Sequence, residues 1–385
     1  MEKDSFYRQP IKFRSPRNKP RKPYSPTTLE VMKSCSLRSC FESTPGYEKR
    51  LGFAARIGLA FHRTMESFYK YPLNRTSEEE TIAEARRRFQ KNIQEQIEAS
   101  EKQPREAGLP HNTDRIERAQ EAIVFEAQKF YAQEDHPIHY WHGDQNQSAD
   151  QKPLEQLAIG SIEVEAPVQS KDGLFKGRID RVEHQQEGIA LIDYKSALRD
   201  DLPPRYERQL QLYAYLWHES RGGWPVKAFV IYPLTVIQHE INLSHEDCNK
   251  VALEFRKMLE DFNREENYYA LASPGEVCQV CDYRPWCLPF WNWQANEENP
   301  TKALKNAYWG IKGKVTSIEK INYHSQVLID WRGSRVQLIC PQERFPQLEI
   351  VRPGMEISIL EANLKGLRHQ PKAIISPRTE LFLYQ

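Results

Sequence analysis

Two short apolar runs that carry charge near their ends restrict the fold of this chain more than any other feature: Gly177-Arg178-Ile179-Asp180 and Ile192-Asp193-Tyr194-Lys195. Side chains alternate along a strand, so Asp193 and Lys195 point to one face. A polar turn at Gln185 to Gly188 folds the first run back onto the second and sets Asp180 alongside them. Two carboxylates and an ammonium then converge on one hairpin. Strand-like runs surround it at Ile162 to Val168, Leu174 to Val182, Ile189 to Ser196 and Ala228 to Tyr232. A helical pattern over Arg205 to His218 interrupts them, and another spans Glu246 to Phe262. Strands, a helix and a further strand predict a mixed sheet covered by helices, an α/β arrangement.

Phosphodiester hydrolysis needs hard-cation ligands to hold a metal that polarises the phosphate and acidifies a water. Asp180 and Asp193 supply such oxygens. A lysine beside them, here Lys195, orients the attacking water and offsets charge that develops on phosphorus. An isolated Asp-x-Lys is more often a surface ion pair, so the surroundings decide. His62 lies in Gly58-Leu59-Ala60-Phe61-His62, where it offers an imidazole, and Gln209 and Tyr213 stand four apart on one side of a helix.

Residues 1–24 hold eight Lys/Arg against two acids, with Pro10, Pro16, Pro20 and Pro23 among them, and predict a basic, flexible tail. From Ser25 the pattern turns helical: Leu29 and Met32 begin one stripe, and Ile57, Phe61 and Met65 another. Ser77 and Glu80 form a capping box before a charged helix, and Arg115 to Ala132 reads as a further helix with a solvated face. After Pro300 short alternating runs predict about five strands in a small all-β, OB-like barrel over 298–385. Tyr308, Trp309, Tyr323, Trp331 and Phe345 are its candidates for base stacking, and Lys312, Lys314, Lys320, Arg332 and Arg335 for phosphate contact.

Net charge is +1, so any case for nucleic acid rests on local chemistry and not on the global field. No apolar run approaches the roughly 20 residues of a membrane helix, and the basic start lacks an apolar signal region, so the chain reads as cytoplasmic. No Gly-x-x-x-x-Gly-Lys-Ser/Thr occurs; coupling to a helicase motor would need another protein.

Cys278, Cys281 and Cys287 crowd into ten residues. A fourth thiolate would complete a tetrahedral zinc site or a cubane iron-sulfur site, and spacing leaves both open. Cys248 and Cys340 lie outside the pattern and read as ordinary thiols.

Taken in order, Gly58/His62, Gly177/Asp180, Asp193/Lys195 and Gln209/Tyr213 resemble the motifs of the RecB-type branch of the PD-(D/E)xK nuclease superfamily, which includes recombination and CRISPR-associated exonucleases. The resemblance covers roughly residues 25–295, within a nuclease domain over 25–297, and implies a restriction-endonuclease-like fold and a DNA nuclease, with an exonuclease of single strands or free ends as the expectation. It implies that His62, Asp180, Asp193 and the Tyr194 carbonyl bind Mg or Mn, that Lys195 assists the water, and that Gln209 and Tyr213 organise the site. Glu165 is a candidate outer carboxylate. The resemblance also favours a 4Fe-4S cluster over zinc, held by Cys278, Cys281, Cys287 and an upstream cysteine. Cys35 is the first choice and Cys40 the reserve. Implied partners are DNA and a separate helicase, repair or CRISPR protein, with no membrane. The rival expectation is a catalytically silent iron-sulfur or zinc DNA-binding scaffold.

Overall fold

The computed structural model describes residues 3–132, 138–140, 159–296, 298, 305–367 and 370–385. The helices α1 (Lys3–Arg8), α2 (Pro26–Ser34), α3 (Ser36–Ser43), α4 (Phe53–Lys70), α5 (Glu78–Glu101) and α6 (Thr113–Ala132) precede the first sheet. Its strands are β1 (Ile138–Tyr140), β2 (Ile162–Gln169), β3 (Lys176–Gln185) and β4 (Gly188–Tyr194). After α7 (Pro204–Arg221) come β5 (Lys227–Tyr232), β6 (Ile237–Asn242), α8 (His245–Arg264) and α9 (Leu288–Ala295). The strands lie in sequence order, with β1/β2 and β4/β5 parallel and the other pairs antiparallel. The sheet is therefore mixed, as the α/β pattern predicts.

Sequence explains the layers. Residues Ala190 to Tyr194 are buried without alternation, which requires cover on both faces. On one face Ile57, Phe61 and Phe89 of α4 and α5 meet Val164 and Ile192. Against the other face, Leu29, Leu212, Trp217 and Phe255 meet Val168, Val182 and Leu191. Caps fix where the helices begin and end. Ser77 Oγ accepts the Glu80 N–H at the start of α5, whose first turn carries Glu78, Glu79 and Glu80 against the positive helix end.

A second sheet follows: β7 (Ile311–Ile321), β8 (His324–Trp331), β9 (Ser334–Pro341), β10 (Glu356–Leu360), β11 (Asn363–Leu367), β12 (Gln370–Ile374) and β13 (Glu380–Tyr384). It curls in the order β11-β12-β9-β8-β7-β10-β13, with β12 parallel to β9. Among the described residues seven strands replace the expected five. The runs at β11 and β12 were missed because charge and proline break their alternation. Of the aromatics expected to stack on bases, Trp309, Trp331 and Phe345 are buried in cores, and only Tyr323 is strongly exposed. Lys312 is likewise engaged: its ammonium pairs with Glu356 at 2.5 Å.

The N-terminal segment is not a flexible tail. Tyr7, Ile11 and Tyr24 are buried. Ile11 bridges to Tyr384 in the second sheet, and Tyr24 to Phe175 at the first. Between them Lys19 donates to the carbonyls of Phe262 and Glu265 at 2.5 and 2.6 Å, supplying positive charge at the end of α8. Apolar anchors spaced among prolines thus make an extended strap, in which Lys19 covers backbone acceptors while most of the other basic residues stay exposed.

A buried ion network joins the helical segments before the first sheet to the second sheet. Arg105 Nε and Nη2 each donate to Glu380 at 2.8 Å, and Tyr7 Oη donates to the same carboxylate at 2.9 Å. Burial alone would raise the Glu380 pKa, but the two arginines, Arg105 and Arg50, hold it at about 2. Arg284, between Cys281 and Cys287, donates to Trp309 O at 2.7 Å and Glu361 Oε1 at 2.9 Å. The cysteine-bearing loop is therefore fastened to the segments that flank the second sheet's strands.

Candidate active site

The β3–β4 hairpin pairs Arg181 with Ile192 and Gln185 with Gly188, so the same register places Asp180 opposite Asp193. Asp180 Oδ2 accepts the Tyr194 N–H at 2.9 Å, fixing one carboxylate against the strand that bears the other. Beyond β4 the Lys195 N–H donates to Ile231 O at 2.8 Å, which prolongs strand geometry through Lys195. Alternation then turns Lys195 to the face of Asp193, and its Nζ stands 2.6 Å from Asp193 Oδ2.

Helix α7 completes the arrangement. Gln209 Oε1 accepts from Lys195 Nζ at 3.2 Å, while its Nε2 donates to Asp193 Oδ1 at 3.4 Å. One amide thus bonds to both the ammonium and the carboxylate, which also touch directly. Tyr213, one turn on, is buried behind it. From α4, His62 Nδ1 lies 3.7 Å from Asp180 Oδ2. All seven expected residues of the site, His62, Asp180, Asp193, Tyr194, Lys195, Gln209 and Tyr213, line one cleft of about 390 Å³. Glu165 does not line it. That residue sits in β2 with φ 56, in the left-handed region, and burial followed by repulsion from Asp180 and Glu66 pushes its carboxyl up to about 7.

The motif glycines have a physical reason. A Cβ on Gly177 would stand 2.5 Å from the Tyr213 ring, and one on Gly58 would stand 2.3 Å from Ser196 Oγ. Absent side chains let α7 and α4 close onto the hairpin. Gly177→Ala is expected to cost about 1–3 kcal/mol by overpacking and to lower cleavage roughly 100-fold through misplacement of Tyr213. Melting curves and cleavage rates for Gly177→Ala, Tyr213→Ala and the double variant check this. Full additivity of the two would show that Gly177 acts through something else.

The donors suit a hard cation: two carboxylates, an imidazole and a backbone carbonyl. Burial pushes the Asp193 carboxyl up, against the pull of Lys195, and Asp193 Oδ2 accepts no hydrogen bond of normal geometry. Burial also works against the Lys195 charge, yet Asp193 outweighs it and lifts the lysine pKa. A cation would relieve the carboxylate in the same way. Among the described residues, however, no group of three His, Cys, Asp or Glu side chains is arranged to hold a metal ion.

The four expected cysteines meet in a second recess. Cys35, at the α2–α3 junction, lines it with Cys278, Cys281 and Cys287. All are free thiols. Burial, then the nearby Cys278 and Cys35, pushes the Cys281 thiol up to about 12. Cys40 is fully buried and does not line the recess. Here too, among the described residues, no group of three is arranged to hold a metal ion. Sequence reading missed Arg115 and Tyr206, which line the carboxylate cleft. Tyr206 places its ring 4.9 Å from Lys195 Nζ. Neither belongs to a spaced motif, and Arg115 sits in a helix most of whose other charges face solvent.

A family profile described as the PD-(D/E)XK nuclease superfamily matches residues 23–288, a span that includes both the cleft and the cysteine recess. The chain belongs to the PD-(D/E)XK nuclease superfamily. Membership indicates a nuclease, a hydrolase that would bind DNA. Two solved structures are similar in part to this superfamily member. The crystal structure of SSO0001 is 12% identical, with 68% of this chain and 95% of that chain covered and a TM-score of 0.26. The solution structure of a replication factor A related protein from Methanobacterium thermoautotrophicum is 19% identical, covering 19% of this chain and 77% of that one, with a TM-score of 0.17. No curated protein matches the chain significantly.

Proposed function

We propose that this PD-(D/E)XK protein is a Mg- or Mn-dependent deoxyribonuclease of the RecB type, an exonuclease on single-stranded or end-processed DNA. The carrying observation is the hydrogen-bonded linkage of Asp193, Lys195 and Gln209 beside Asp180 and His62 in one cleft. In this reading His62, Asp180, Asp193 and the Tyr194 carbonyl hold the metal. Bound there, it supplies Lewis acidity toward phosphate oxygens and toward water. Lys195 directs the attacking water and offsets charge on the phosphate. Gln209 keeps Lys195 and Asp193 at fixed spacing, and Tyr213 backs Gln209.

Cys35, Cys278, Cys281 and Cys287 would hold a structural 4Fe-4S cluster, a reading supported by their shared recess. An OB-like barrel is supported by the parallel β9/β12 pair and by β10 and β11, which follow one another across a bend at Glu361, where φ is 56. Its exposed Tyr323 and Lys320 would grip a single strand. Repair, recombination or CRISPR-type defence in the cytoplasm, with a separate helicase or defence partner, is the corresponding biological setting. No helix among the described residues is long and apolar enough to cross a membrane.

The test uses anaerobically purified protein with end-labelled linear and circular single strands, and linear duplexes, in Mg, Mn or EDTA. Linear single strands should shorten from an end with metal only, while circles stay intact. No cleavage with either metal, or cleavage in EDTA, would overturn the reading.

A further inference from the structure

The carboxylate cleft does not end at Lys195. It adjoins a depression of about 550 Å³ lined by Asn112, Arg118, Leu198, Arg199 and Thr235, and Arg115 lines both. The two therefore form one groove with Arg115 at the junction.

Arg115 is held but not neutralised. Its own N–H donates to Asn112 Oδ1 at 3.0 Å at the start of α6, and its Nη2 donates to Ser196 O at 2.7 Å, next to Lys195. The buried Nε has no hydrogen-bond partner, and no carboxylate forms an ion pair with this guanidinium among the described residues. Burial lowers its pKa. A guanidinium anchored by one nitrogen and left with unused donors is suited to an oxyanion, which it binds in a planar fork.

Charge farther along the groove is weak. Asp201 pairs with Arg199 through two contacts of 2.7 Å, and Asp114 and Asp200 share the lining with Arg118. Arg118 forms no ion pair among the described residues, but two carboxylates share its stretch, so the groove offers Arg115 as the anchored cation at the cleft and, beyond it, the 43%-exposed side chain of Leu198. That pattern fits one gripped phosphate followed by a loosely held sugar and base.

The geometry points to a path in which a single DNA strand leaves the carboxylate cleft over Arg115, whose guanidinium binds the phosphate adjacent to the scissile one. This rests on the nuclease reading for what happens in the cleft, while the binding itself does not require catalysis.

The test is Arg115→Gln in the full chain, with fluorescent oligothymidylate titrated in EDTA at several salt concentrations. Affinity should fall about 10- to 100-fold, as for loss of a charged hydrogen bond. The slope of log affinity on log salt should flatten by about 0.7. Cleavage of strands carrying one neutral methylphosphonate linkage, walked away from the cut, gives the second readout. Wild-type protein should be slowed strongly at one neighbouring linkage, and Arg115→Gln should show no further loss there. Arg115→Lys, which keeps charge but not the fork, carries the same cycle if the Gln variant does not fold. An unchanged salt slope in folded Arg115→Gln, or methylphosphonate sensitivity in the variant equal to that of wild type, overturns the path. Wild-type protein that binds with an Arg115-dependent slope yet cleaves nothing would sink the nuclease reading and leave the path standing.

Discussion

Asp193→Asn is expected to reduce metal-dependent DNA cleavage by at least 100- to 10,000-fold while the protein keeps its fold. The carboxamide preserves volume and can still accept from Gln209 Nε2, now 3.4 Å from Oδ1. It removes the negative charge that faces Lys195 Nζ at 2.6 Å and would face a metal. Both changes leave the Lys195 ammonium without its nearest counter-charge, a loss of up to about 3–5 kcal/mol for a buried pair, and alanine is the harsher probe because it also removes the acceptor for Gln209. Asp180→Asn and Lys195→Ala should show losses of similar order, since each group acts on the same phosphate and water. Single-turnover cleavage and thermal melts distinguish lost chemistry from lost structure. Wild-type rates in Asp193→Asn would remove this cleft from the mechanism.

The second large effect concerns colour. Protein purified without oxygen should be brown and carry about four irons per chain, as a cubane requires. Cys35→Ser should bleach it and lower its melting temperature by several degrees, because tying Cys35 to Cys278 closes a far longer loop than the local cysteines do. By loop-closure scaling that tie removes about 3 kcal/mol more chain entropy than a ten-residue loop. Cys40→Ser should keep the iron, since Cys40 packs in the core outside the recess. Bleaching by the Cys40 change alone would transfer the upstream role to that residue. Colourless wild-type protein holding only zinc would replace the cluster with a zinc site.

Legibility followed sequence distance. The hairpin bearing Asp180 and Asp193 could be read because alternation and a polar turn are local properties, and the structure pairs Gln185 with Gly188 as that pattern requires. Gln209 and Tyr213 could be placed on one helix side for the same reason. What each touches is non-local: nothing near Gly177 tells that the Tyr213 ring will fill the space of its missing side chain. Arg115 was read as one charge among many on α6, since an arginine becomes distinctive only when a strand end, here Ser196, reaches it. Aromatics in the barrel misled in the opposite sense, because alternation identifies a strand without saying which face of a curled sheet is inside. Trp331 and Phe345 went to the core.

The strap misled most, and its partners explain why: Tyr7 binds Glu380 across 373 residues of sequence. At ribosomal rates of about 5–20 residues per second, its counterpart emerges roughly 20–75 s later. Through that interval the apolar anchors Tyr7 and Ile11 have no β13 to cover them, so the contact of the strap with β13 forms late in vectorial folding. Until it closes, the growing chain exposes an adhesive segment to its neighbours on the same message.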